Sequence, residues 1–286
     1  MYNLNWSESE LVKLRIFRIF GVFFCGAGIC LAGFILQQMF RNPIVDIYIL
    51  GNASICILAQ IISLSFWSYP LSYIMSYLLS FILTILLMFS MYKFSHHGAY
   101  FDLVKLLMLS FAVNIFIWGV INFVIYKVVR LNNINIYQLL AGTVEGIYIN
   151  EILMIVTGSI LSFFYLYEQL DKIHILSIGE EFAITTGVDI EKLKLEVFII
   201  ISLLSTVVTV TIGIVPFLGI IVPHFIRLFI KSNIYTRFYL VLLAGAFLSL
   251  VADTISMLTV NYFNLPVFII MNFLAFPFFV YLVIKK

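Results

Sequence analysis

Long apolar runs separated by short polar breaks organise this chain. Runs at about 16–39, 46–66, 70–92, 103–126, 146–168, 196–215, 218–230, 237–260 and 266–284 are nearly free of charge. A helix needs roughly 20 apolar residues to cross a bilayer, so most of these runs predict membrane spans. The run 218–230 is too short to cross unaided and predicts a half-helix or an oblique one. The pattern gives an all-α polytopic membrane protein of about nine transmembrane segments, one of them short and broken. One polar stretch interrupts it: Glu168–Glu196 holds ten of the chain's thirty charged side chains in 29 residues. That stretch predicts a soluble segment held between two membrane helices. Ser177 followed by Glu180 three residues on has the form of a capping box. Gly187 then stands where a short helix would end, and Asp189 gives an acidic start to a second short helix. Residues 1–286 read as one transmembrane domain, with 168–196 as a segment within it.

The basic residues orient the spans. With the polar stretch inside, eleven basic side chains, among them Arg41, Lys93, Lys192 and Lys286, fall inside or at the inner boundary. Five, Lys13, Arg15, Arg18, Lys127 and Arg130, fall outside. This asymmetry follows the positive-inside rule and places the N-terminus outside.

Composition narrows the function classes. Hydrophobic residues make up 63% of the chain and charged residues 10%, against about 25% charged in soluble domains. The net charge is +2 with no basic cluster, which excludes a nucleic-acid groove. Met1–Glu10 lacks the basic start of a cleavable signal, so the first span is expected to direct insertion. Cys25, Cys30 and Cys56 all lie in apolar runs and read as packing residues. No phosphate loop, metal-hydrolase motif or Ser/His/Asp set is present, so no catalytic residue, metal or cofactor is expected. His96-His97-Gly98 reads as a surface loop.

Several residues stand out against the apolar background. Gly26, Gly28, Cys30 and Ala32 give small-residue spacings that let helices approach closely. Gln37 and Gln38 end the first span, and Arg41-Asn-Pro43 makes a sharp turn. Asn114 and Asn122, eight apart, predict interhelical hydrogen bonds or a polar pathway lining. Gly213, Pro216, Gly219 and Pro223 must break their helix. Irregular backbone inside a membrane protein is tolerated only where protein or a cavity covers it, which places this segment near a pathway or gate. His224 follows as a hydrogen-bonding strut. Asp253 is an intramembrane carboxylate and so a functional candidate, with a structural hydrogen bond as the other reading. Arg15 and Arg18 lie on one face of a helix end.

Three blocks carry a resemblance. Gly26–Gly51 is similar to a "GaxLAxxGxxxQxxxRNPLAxPxxLG" pattern, Leu176–Val188 to "LxLGEExAxxLGV", and Gly213–Arg227 to "GxIxFVGLIVPHxxR". In this order they resemble the FecCD-type permeases, membrane subunits of ABC importers for ferric siderophores, heme and vitamin B12. The resemblance implies that Leu176, Ile178, Gly179, Glu180, Glu181, Ala183 and Gly187 form cytoplasmic coupling helices that sit on an ATPase subunit. It implies that Arg15 and Arg18, matching an external "RLPR" with Phe17 for its proline, meet an extracytoplasmic substrate-binding protein. The broken segment Gly213, Pro216, Gly219, Pro223 and His224, with Asn114 and Asp253, is the expected pathway or gate. The implied assembly has two ATPases and a second permease, identical or a sister chain, in a bacterial cytoplasmic membrane. The implied mechanism is alternating access, with an iron complex, a ferric siderophore first, as cargo and heme or cobalamin next. The chain starts almost at the RLPR position, so the family's first helix is expected to be missing. Pro216 stands for a family glycine, and Met257, Asn264 and Phe268 replace residues of a second external contact. Two other classes remain. An ion-coupled secondary transporter would want several intramembrane charges. A membrane enzyme would want clustered acid, base or metal residues.

Overall fold

The computed structural model describes residues 8–68, 70–97, 100–132, 149–259 and 265–284. The described helices are α1 (Glu8–Met39), α2 (Asn52–Phe66), α3 (Leu71–Phe94), α4 (Leu103–Asn132), α5 (Ile149–Glu168), α6 (Leu170–Ile178), α7 (Glu180–Thr185), α8 (Ile190–Ile212), α9 (Leu218–Phe229), α10 (Ile234–Thr259) and α11 (Val267–Ile284). Six stretches within them are long and apolar enough to cross a membrane: Arg15–Met39, Leu71–Phe94, Leu103–Tyr126, Ile149–Glu168, Ile190–Ile212 and Ile234–Thr259. α2 and α9 are apolar but shorter. One departure from an all-helical chain falls where a loop was expected. His96–His97 (β1) pairs antiparallel with Tyr100–Phe101 (β2). The position of Asn264 lies outside the described residues.

α1 is the hub. It packs against α5, α8, α9 and α10, and 78% of its apolar window is buried against 17% for α4 at the periphery. Small residues permit this. A Cβ on Gly26 would collide with Ser249 and the Gly245 carbonyl, and one on Gly245 would strike Cys30. α1 and α10 therefore meet nearly backbone to backbone, the geometry that replaces hydrophobic driving force between membrane helices. The Ser249 hydroxyl donates across this contact to the Val22 carbonyl at 3.0 Å. Cys25, Cys30 and Cys56 are free thiols buried in the helix contacts.

The apolar run 46–66 is not helical throughout. α2 begins at Asn52 and has 15 residues, about 22 Å of helix at 1.5 Å per residue. Residues 40–51 form a compact turn instead. Arg41 takes a left-handed φ of 51°, with Asn42 N–H on the Gln37 carbonyl (3.2 Å) and Arg41 N–H on the Gln38 carbonyl (3.3 Å). These two bonds close the end of α1 as a Schellman motif, and Pro43 bars Asn42 from continuing the helix. Beyond it Val45, Asp46, Ile47 and Leu50 are buried, so the turn folds back into the protein.

The polar stretch is more helical than its charge density suggests. α5 runs to Glu168 and α6 follows at Leu170. Ser177 is not an N-cap: it lies inside α6, and its hydroxyl donates to the His174 carbonyl at 2.6 Å. The residue that precedes α7 is Gly179, in an extended conformation with no side-chain cap. Asp189 does cap a helix, accepting Lys192 N–H at 3.0 Å. That helix is not short, because α8 continues unbroken for 23 residues to Ile212.

Candidate coupling and gate site

The α6–α7 segment has one face built into the protein and one turned outward. Leu170, Ile173, Leu176 and Ala183 are fully buried in the main core, whereas Ile178, Phe182 and Ile184 are exposed. Gly187, at φ 81°, ends α7. Its N–H reaches the Ile184 carbonyl (3.0 Å) and the Val188 N–H reaches the Ala183 carbonyl (2.9 Å), again a Schellman closure. Glu181 is exposed. Glu180 turns inward and accepts a hydrogen bond from Lys194 Nζ at 2.7 Å. Lys194 sits in the second turn of α8 with its side chain only 2% exposed, while that of Glu180 remains 35% exposed. The ammonium also lies 5.0 Å from the centre of the Tyr92 ring of α3, within cation–π range. One buried lysine thus ties α7, α8 and α3 together.

The second half of the site is the break after α8. Gly213, at φ 91°, turns the chain. Ile214, Val215 and Pro216 run without helix, and Phe217, at φ 64°, starts α9. Several groups freed by the break find partners. Gln60 of α2 donates to the Val210 carbonyl at the end of α8 (2.9 Å). Val215 N–H donates to the Tyr48 hydroxyl (3.2 Å). The Leu218 N–H reaches the Pro216 carbonyl at 2.8 Å. Pro223 lies inside α9 and has no N–H to give to the carbonyl four residues back, that of Gly219. Gln37 of α1 supplies the missing donor, its Nε2 bonding to the Gly219 oxygen at 3.0 Å. The Cys30 thiol donates to the neighbouring Leu218 carbonyl at 3.4 Å.

Close backbone approach makes this bracing possible. A Cβ on Gly33 would overlap the Gly219 carbonyl, and one on Gly219 would overlap the Asp46 carboxylate. Asp46 is fully buried. Its Oδ1 accepts Ile47 N–H at 2.7 Å and its Oδ2 has no hydrogen-bond partner. The carboxylate faces Gly219 in the first turn of α9. An open cleft of ≈ 550 Å³ lies beside the break, between Phe217 and the α11 residues Ile269, Asn272, Phe273, Ala275 and Phe276.

The remaining sequence candidates fall into separate places. Arg18 and Asp253 are brought together: Nη2 to Oδ1 is 2.7 Å and Nε to Oδ2 is 3.0 Å. This two-pronged pair joins α1 to α10 with side chains 17% and 6% exposed. Arg15 is exposed. Asn114 braces the turn before α2, accepting from Ser54 (2.6 Å) and donating to the Ile49 carbonyl (2.9 Å). Asn122 donates to the Trp118 carbonyl of its own helix. His224 Nδ1 lies 3.3 Å from Arg227 on the outer face of α9. Among the described residues no three His, Cys, Asp or Glu side chains gather to hold a metal ion.

Residues that local sequence reading did not single out supply much of this geometry. Tyr48 braces the break, Asp46 packs against Gly219 of α9, Lys194 anchors the coupling segment, and Phe182 and Ile184 form its outward face. A donor for Gly219 was recoverable in principle: a proline inside a helix orphans a known carbonyl, and a glutamine in an apolar helix is a ready partner.

The comparisons agree with this architecture. The sequence model of the FecCD transport family matches residues 2–285. A hemin transport system permease protein of Yersinia pestis is 25% identical over 288 residues, covering 96% of this chain and 83% of its own. A petrobactin import system permease protein of Bacillus subtilis is 21% identical, covering 100% of this chain and 90% of its own. A solved inward-facing structure of a metal-chelate type ABC transporter superposes with a TM-score of 0.85 at 22% identity, covering 100% of this chain and 92% of that one, which shows a shared fold.

Proposed function

Since the chain belongs to the FecCD transport family, and is thus a multi-pass permease subunit of the cytoplasmic membrane, we propose that it carries an iron complex inward as part of an ABC importer, with a ferric siderophore as the first choice of cargo. The chain is a transport subunit, and ATP hydrolysis belongs to a separate partner. We assign α6–α7 as the coupling element that rests on that ATPase. The observation that carries this is the pairing of an exposed apolar face, Ile178, Phe182 and Ile184, with a buried anchor, Glu180–Lys194. An exposed apolar patch on an otherwise polar surface marks a partner contact, and the anchor passes any displacement of α7 to the spanning helix α8. Two copies of the ATPase and a second permease complete the importer, and Arg15, exposed near the start of α1, is the docking charge offered to an extracytoplasmic substrate-binding protein. Rim charges of this kind guide encounter more than they add affinity. The nine-segment topology counts α2, α9 and α11 with the six long spans. The break at Gly213–Phe217 serves as a gate beside the α11 cleft.

The test is uptake into proteoliposomes holding this chain with its ATPase, binding protein and any sister permease. Ferric siderophore uptake that needs internal ATP supports the full reading. ATP-dependent uptake of heme or cobalamin alone would keep the permease and replace the cargo. Uptake driven by an ion gradient without the ATPase would overturn the assignment.

A further inference from the structure

Three helices, one of them α8 that leads into the break, turn polar stripes toward one another. α2 contributes Asn52, Cys56 and Gln60, four residues apart. α3 contributes Tyr77, Ser80, Thr84 and Met88, and α8 contributes Ser202, Ser205, Thr206, Thr209 and Thr211. The helices are in mutual contact, and cross-links fix the register. Asn52 Nδ2 and Ser202 Oγ both reach Met88 Sδ, at 3.2 and 3.5 Å. Ser80 Oγ donates to the Cys56 carbonyl at 3.3 Å. Tyr77 and Thr211 share a hydrogen bond of 2.7 Å.

Three hydroxyls of this seam behave unlike others in the fold. Ser63, Ser76, Thr84, Ser110, Ser162 and Thr211 bond back to the carbonyl four residues earlier in their own helices. That is the usual refuge of a hydroxyl in an apolar helix. Ser205 Oγ, Thr206 Oγ1 and Thr209 Oγ1 do not use it, and like Asn52 Oδ1 they have no nitrogen or oxygen partner, although all four residues are buried to within 2%. The Cys56 thiol beside Ser205 and Thr206 is a weak partner at best. Four buried polar oxygens at one helix junction do not stay unsatisfied in a native protein. A buried water makes 2–4 hydrogen bonds to such groups.

We propose that ordered water molecules occupy the α2–α3–α8 seam, held by Asn52, Ser205, Thr206 and Thr209. Exchangeable water between the Met88 and Tyr77 cross-links eases a shift of α8 against α2 and α3. That consequence rests on the coupling role assigned above, whereas the water site does not.

Hydroxyl radicals formed by radiolysis of bound water oxidise the nearest thiol or thioether, and the seam holds one of each. Brief X-ray exposure of the full transporter in nanodiscs, read by mass spectrometry, compares Cys56 and Met88 with Cys30 and Met39, which are equally buried elsewhere. Oxidation at Cys56 and Met88 is expected to run several-fold faster. It should fall to the control rate in Ser205→Ala/Thr206→Val/Thr209→Val, or in Thr209→Val alone if the triple variant does not fold. Equal rates at all four positions in the unaltered protein would overturn the proposal, showing that the hydroxyls close onto their own helices. Fast oxidation that persists with unchanged uptake in a variant lacking the hydroxyls would overturn their role in both water binding and motion.

Discussion

Replacing Gln37 by leucine tests the bracing of the gate. The substitution keeps the bulk in a position that is 3% exposed and removes the donor to the Gly219 carbonyl. Pro223 cannot supply a replacement because it has no N–H. A buried carbonyl left unsatisfied costs about 1–3 kcal/mol, so Gln37→Leu should lower stability by that amount. A second variant tests the orphaned carbonyl more sharply. Pro223→Ala restores an N–H four residues after Gly219, so α9 can close its own hydrogen bond. In that background Gln37→Leu should cost well under half as much, a coupling of about 1 kcal/mol or more between two side chains joined only through one carbonyl. Thermal unfolding of the four proteins in one detergent, read as loss of folded fraction, gives the cycle. If Gln37→Leu costs the same with alanine at 223 as with proline, Gln37 does not serve the orphaned carbonyl and the reasoning fails.

Other perturbations follow from the same geometry. Gly33→Ala places a methyl on the Gly219 carbonyl, and overpacking of this kind costs about 1–3 kcal/mol; uptake and Tm should fall together, and an unchanged Tm would contradict the backbone contact. Glu180→Lys sets a second ammonium against buried Lys194 and should leave ATP hydrolysis running without uptake, whereas normal uptake would remove Glu180 from the coupling path. Asp253→Asn should weaken the α1–α10 contact, and the exchange Arg18→Asp with Asp253→Arg should recover part of the loss in Tm; no recovery would mean that the pair at 2.7 Å contributes little. Phe182→Ser with Ile184→Ser should reduce ATPase affinity in a binding titration by about tenfold or more, since exposed apolar anchors carry about 1–2 kcal/mol each at an interface, while Tm stays unchanged.

Sequence patterning was informative wherever a single helix decides the outcome. The spans of α1, α3, α4, α5 and α10 follow from uninterrupted apolar runs, and the break at Gly213–Phe217 follows from residues that cannot propagate a helix. Patterning failed where distant elements decide. Residues 46–51 are as apolar as a helix but fold as a turn, because Asp46 packs against Gly219 of α9 and Tyr48 and Ile49 find partners on the break and α4. Lys194 looks like one more charge in a polar stretch, yet Glu180 and Tyr92 make it one of the most buried large side chains in the chain. Arg18 and Asp253 were each visible as candidates, but a pairing across 235 residues leaves no trace in local periodicity.

The central claim is that α6–α7 receives the ATPase. A photoreactive phenylalanine analogue in place of Phe182, in the assembled transporter, tests it directly. The account predicts a cross-link to the ATPase subunit from position 182 and none from position 217, beside the α11 cleft. A cross-link from position 182 to the substrate-binding protein, or to lipid alone with the ATPase bound, would contradict it.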